Sequence, residues 1–174
     1  MPETPEIPEA SDPFEKRIAI SIAILAVILS CVGHRGDTAR TEAIIKTNEA
    51  SNKWGYFQAK SIKGQMAVMH GDLLAALSGA PPDEARTKEI ARLHGETARY
   101  DEERAEIKKQ AEELQAEAAR DSAVNERCEF ASLMLQIAVV LCSVAILSRW
   151  HAIWFTGLAL GLAGSIAGAM AYFL

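Results

Sequence analysis

Trp54, Tyr56 and Phe57 place three aromatic side chains within four residues of a charged stretch, among Lys53, Lys60 and Lys63. Residues of these types do recognition chemistry: aromatic rings bury area and hold cations on their faces, and ammonium groups meet acids. The lysines are seven and three residues apart, a basic stripe beside the aromatics. The three rings fall on different helix faces, so one helix seam cannot bury them all. Part of this surface is expected to meet a protein partner or a neighbouring subunit; packing inside a local helix bundle is the competing reading. A second group is Gly157, Gly161, Gly164 and Gly168, two overlapping small-residue series that permit close approach between membrane helices. That contact serves either packing within the chain or self-association between chains.

Bond-making chemistry is missing. His34, His70, His94 and His151 are too far apart for a local metal motif, and no HExxH or CxxC spacing occurs. His70 and His94, about equally far from Pro81 and Pro82, could face each other, but a solvated or seam-edge state is expected. Cys31 and Cys142 lie in apolar runs and Cys128 borders one, so no disulfide framework can be drawn. Phosphate loops and Ser/His/Asp or Cys/His nucleophile arrangements are absent, and no enzyme activity, cofactor, metal or catalytic residue is expected. The net charge of −5 lacks the clustered basic surface that nucleic acid requires.

The elements that position these groups follow from where the charges lie. The mean hydropathy of +0.04 hides a division. Three stretches, Ile18 to Gly33, Phe130 to Leu147 and Ala152 to Leu174, hold 57 of the 174 residues and no Asp, Glu, Lys or Arg. Each reads as a transmembrane helix (18–33, 130–147 and 152–174). The first covers ~24 Å of a ~30 Å hydrocarbon core, a shortfall met by Phe14 and by snorkelling of Lys16 and Arg17. Residues 1–17, with four prolines in the first thirteen, read as a disordered acidic tail. A lipoprotein signal ending at Cys31 is weighed against an uncleaved span; the long acidic leader favours the span. Residues 148–151 form a turn at the membrane interface, with Trp150 and Trp154 as an aromatic belt.

Residues 34–129 read as an extramembrane antiparallel helical hairpin, coiled-coil-like, with its tip at 78–82. Gly79 suits a helix end, Pro82 a helix start, and Asp83 and Glu84 the positive end of the helix dipole. In the second leg a heptad seam runs through Ile90, Leu93, Thr97, Tyr100, Arg104, Ile107, Ala111, Leu114 and Ala118. In the first leg the same spacing picks out Ile45, Asn48, Asn52, Gly55, Ala59, Ile62, Met66, Met69 and Leu73. Asn48 and Asn52 either fix the register of this seam or mark a loosely packed, wet base.

The run from Ala50 to Lys63, with its Trp, aromatic pair, Gln-Ala-Lys and Ile-Lys, resembles bacterial membrane proteins of the family termed domain of unknown function 4337. The resemblance implies a bacterial envelope protein and carries no activity, cofactor or site.

The chain is thus expected to be an all-α membrane protein of three transmembrane helices, with the hairpin between the first and second. Lys16, Arg17 and Arg149 in the short flanks place the N-terminal side in the cytoplasm and the hairpin in the periplasm of a bacterial inner membrane, although Arg35, Arg40, Arg120 and Arg127 flank the hairpin base. No ionisable group lies within a span, which argues against proton- or ion-coupled transport. The expected function is a non-enzymatic scaffold or accessory subunit that assembles with copies of itself or with a membrane partner, through the hairpin and the glycine-rich third span. The alternative is a homo-oligomeric passive channel lined by the second or third span, with Ser132, Gln136 and Ser143 as its polar groups.

Overall fold

A computed structural model describes residues 13–77 and 84–172. These form three helices, α1 (Pro13–Ala76), α2 (Glu84–Ser148) and α3 (His151–Met170), and two compact units. Unit 1 takes its residues from the chain up to Glu42 and from Arg120 onward; unit 2 is Ala43–Ala119. All three helices are long and apolar enough to cross a membrane. The expected hairpin tip at 78–82 lies outside the described residues, as do residues 1–12 of the expected tail.

In unit 1 the helix begins at Pro13, so residues 13–17 are helical where the sequence reads as tail. Proline is tolerated in the first turn, where its missing N–H would have no helical partner. Ring contacts hold the extra turn: the Phe14 ring stacks on His151 at 4.0 Å and meets Trp154 edge-on at 5.7 Å. Glu15 and Arg149 add a surface ion pair at 3.3 Å. Trp150 remains exposed, while Trp154 is half-buried.

The core of unit 1 is narrow. Helix α1 contributes Ile18, Leu25, Val32 and Ala39 at seven-residue steps, and α2 contributes Cys128, Ala131, Leu135, Ala138, Cys142 and Ala145 at alternating steps of three and four. Small side chains on α2 let the helices come close, which suits apolar helices packed by van der Waals contact. Helices α2 and α3 are joined by a turn at Arg149 and Trp150, with Arg149 in the left-handed region at φ 51°.

Unit 2 is an antiparallel pair formed by the C-terminal part of α1 and the N-terminal part of α2. On α2 the seam is the expected one: Leu93, Ile107, Ala111 and Ala118 are buried, and Ile90, Thr97, Tyr100, Arg104 and Leu114 are half-buried. On α1 the expected seam is corrected. Ile45, Ile62, Met66, Met69 and Leu73 are 51–67% exposed, and Asn48, Asn52, Gly55 and Ala59 are exposed with them. The buried stripe is instead Ala43, Ala50, Gly64, Ala67 and Gly71, flanked by half-buried Lys46, Lys53, Phe57, Lys60 and Leu74.

The reason is steric and electrostatic. Helix α2 presents bulky groups, and small residues receive them: a Cβ on Gly64 would sit 3.7 Å from Tyr100 Cβ, and one on Gly71 would sit 4.0 Å from Leu93. Helix α2 also carries Glu103, Gln110 and Glu117 beside its seam, and an Ile/Met stripe would leave these polar groups without partners.

Candidate interaction surface

Lysines 46, 53 and 60 recur every seven residues on α1, and each meets a polar partner that recurs every seven residues in the opposite direction on α2. Lys46 Nζ lies 3.2 Å from Glu117 Oε2, Lys53 donates to Gln110 Oε1 at 2.7 Å, and Lys60 donates to Glu103 Oε2. Aliphatic lysine stems lie along the seam while the ammonium groups reach its edge.

The aromatic band sorts onto this ladder. Trp54 and Phe57 are half-buried and meet edge-to-face at 5.5 Å, with the Arg104 guanidinium 5.2 Å from the Phe57 ring. Lys60 Nζ is 5.6 Å from the Tyr56 ring and 5.2 Å from Tyr100. The hydrogen bond to Glu103 raises the Lys60 pKa above its ordinary value, and the same bond holds the Glu103 carboxyl below the usual carboxylate range. Arg104 donates to Asp101 at 3.0 Å, yet its buried Nε has no hydrogen-bond partner. Its guanidinium is held by the Phe57 face and one carboxylate.

Of the six residues expected to form an interaction surface, the structure therefore engages Lys53, Trp54, Phe57 and Lys60 inside unit 2. Tyr56 is 55% exposed and Lys63 is exposed. Lys63 borders a shallow groove with Met66, Met69, His70, Leu73 and Tyr100. His70 and His94 are both exposed.

The surface that unit 2 leaves open is the stripe expected to be its seam. Ile45, Ile62, Met66, Met69 and Leu73 keep coiled-coil spacing on a helix whose true seam lies on another face. The outward face of α2 differs, carrying ion pairs within the helix such as Arg92 with Glu89 and Glu96, at 2.6 and 2.7 Å. Among the described residues of unit 2, large exposed hydrophobic side chains lie on α1 and not on α2. Two interleaved 3-4 series on α1 were the signal available in the sequence, and the seven-residue lysine series distinguishes them.

In unit 1 all four candidate glycines are buried and packed within the chain. A Cβ on Gly157 would lie 2.9 Å from Cys142 Sγ and 3.2 Å from the Ala138 carbonyl; one on Gly164 would lie 3.1 Å from Leu135 and 3.2 Å from the Ala131 carbonyl. Gly161 and Gly168 face α1, where a Cβ would come within 2.6 Å of Leu25 and of Val32. Their absent side chains let α3 sit against both neighbours.

Among the described residues no group of three or more His, Cys, Asp or Glu is placed to hold a metal ion. The family described as Domain of unknown function (DUF4337) matches residues 14–174. Comparison with curated proteins and with solved structures finds no match.

Proposed function

The chain belongs to the domain of unknown function 4337 family, and on that premise we propose that it is a non-enzymatic scaffold or accessory subunit, anchored in a bacterial inner membrane by unit 1 and assembling through unit 2. The observation that carries this reading is the open stripe on α1. A two-helix unit that leaves Ile45, Ile62, Met66, Met69 and Leu73 more than half exposed on one helix, at positions of a single 3-4 series, carries aligned rather than scattered apolar side chains. Coiled-coil spacing suits that surface to another helix.

A second copy is the favoured occupant. Asn48 and Asn52 sit within the stripe, and an amide side chain donates and accepts, so each satisfies its own counterpart in a parallel pair while fixing the register. Chains inserted in one orientation in a membrane present their α1 faces in parallel. The hairpin is assigned to the periplasm from the short basic flanks at Lys16, Arg17 and Arg149.

Mild-detergent extraction from native membranes followed by native mass spectrometry tests the reading. The expected result is a homo-oligomer that falls to single chains in the Met66→Gln/Met69→Gln variant, with helical content kept. A single chain in the unaltered extract, with no second protein, overturns it. A passive channel, the other reading, rests on Gln136 and Ser143, both exposed on α2 at seven-residue spacing; a conductance in reconstituted bilayers that changes on Gln136→Leu would replace the scaffold by the pore.

A further inference from the structure

Unit 1 contains a feature that assembly through unit 2 does not use. A cleft of about 340 Å³, lined by polar residues together with Leu29 and Cys128, opens between α1 and α2 at the boundary of the apolar segments. On α2 its wall is a file of polar side chains, Asn125, Glu129, Ser132 and Gln136, at steps of four, three and four that keep them on one helix face. On α1 it is bordered by Asp37 and Arg40 and floored by Gly33 and Gly36. The floor has no room for side chains at its narrow point: a Cβ on Gly36 would lie 2.9 Å from Cys128 Cβ and 3.6 Å from Asn125 Oδ1.

Charges of both signs face this space, and they do not satisfy one another. Among the described residues, the side chains of Asp37, Arg40, Asn125, Glu129 and Gln136 make no hydrogen bond or ion pair, and at Asp37 the Thr41 hydroxyl donates to the backbone carbonyl at 2.8 Å. Elsewhere in the chain such groups pair readily, as Arg104 does with Asp101 three residues away. Gln136 is the single strongly polar side chain of its apolar segment, seven residues or ~10 Å along the helix from Glu129. In hydrocarbon an amide without a partner is costly. A ligand suited to the cleft carries a cation and an anion at one end and hydrogen-bond acceptors deeper along the file.

We propose that this cleft is a binding site for a zwitterionic phospholipid with a primary-amine headgroup, of the phosphatidylethanolamine type. Arg40 donates to the lipid phosphate, Asp37 and Glu129 accept from its ammonium, and Ser132 and Gln136 donate to the glycerol ester carbonyls below. A primary ammonium offers three N–H donors to the two carboxylates; a choline headgroup offers none, and a glycerol headgroup lacks the positive charge. The inference rests on the reading that unit 1 lies in the bilayer.

The test uses the full chain reconstituted in nanodiscs of phosphatidylethanolamine, phosphatidylcholine and phosphatidylglycerol in equal parts, released and weighed with its retained lipids by native mass spectrometry. Phosphatidylethanolamine is expected to be retained about tenfold over each of the others, the discrimination of one charge-assisted contact. Asp37→Asn/Glu129→Gln should abolish that preference while leaving lipid retention. Arg40→Gln should lower retention of all three lipids. Equal retention of the three by the unaltered chain, or a preference unmoved by the double variant, overturns the site while leaving the membrane anchor intact. A chain that stays out of the nanodiscs overturns both the anchor and the site.

Discussion

Lys60 of α1 donates its ammonium to the Glu103 carboxylate of α2, and Tyr56 and Tyr100 each present a ring within 6 Å of the same nitrogen. Lys60 is the more enclosed partner, its side chain 16% exposed against 36% for Glu103. The pairing sets the register of unit 2, because a shift by one residue on either helix would move all three lysines off their partners together.

This pair makes the stability of unit 2 depend on pH at both ends. Glu103 is held below its ordinary value of 4.5, so its contribution is present above that value and is lost as pH falls through the depressed folded value. Lys60 is held above 10.5, so its contribution is full below 10.5 and is lost as pH rises through the raised folded value. Thermal unfolding followed by circular dichroism should show a plateau between these limits, with Glu103→Gln flattening the acid side. An unchanged acid limb in that variant would show that the pair contributes nothing measurable.

The two 3-4 series on α1 make opposite predictions for substitution. Ala50→Leu places extra volume in a seam position that is 1% exposed and should destabilise unit 2 by about 1–3 kcal/mol. Ile62→Ala, at a position 57% exposed, should leave the folding of a single chain within about 0.5 kcal/mol. Urea titration of both variants under conditions that keep chains apart decides between the registers. The reverse order of effects would restore the Ile/Met stripe as the seam.

The four buried glycines should not respond alike. At Gly161 the nearest atom to an added Cβ is the flexible end of Leu25, which can turn aside, whereas Gly157 and Gly164 face the Ala138 and Ala131 carbonyls, which cannot. Gly157→Ala and Gly164→Ala should each cost about 1–3 kcal/mol of unit 1 stability, more than Gly161→Ala. Thermal unfolding in detergent ranks them, and equal losses at all three would show that backbone approach is not what limits the packing.

Arg149 adopts φ 51°, a left-handed conformation that costs an L-residue roughly 1–2 kcal/mol. Its ion pair with Glu15 involves a side chain that is 72% exposed, so its loss matters little. Arg149→Gly should therefore match or raise the unfolding temperature in detergent, while Arg149→Val should lower it. A lower value for the glycine variant would assign the turn's stability to the ion pair.

The apolar segments and the all-helical class were legible because absence of charge over a run of residues needs no tertiary information: a stretch such as Phe130 to Leu147 is apolar whatever it packs against. The α2 seam was legible for a related reason, since Leu93, Ile107, Ala111 and Ala118 are its small or apolar residues at heptad spacing. The alignment of four glycines along α3 was legible from their spacing alone. Which surfaces meet is set by folding. Helix α1 carries two series with the same spacing, and hydrophobicity alone ranks Ile45, Met66 and Leu73 above Ala43, Ala67 and Gly71. The choice between them depends on complementarity to the other helix, where Tyr100 requires a small neighbour and Glu103 requires an amine. The glycine contacts were settled the same way, because a small residue states that something approaches closely without stating what. The polar cleft went unread because its members lie on two helices about ninety residues apart in sequence, and only folding brings Asp37 and Arg40 to the same space as Glu129 and Gln136.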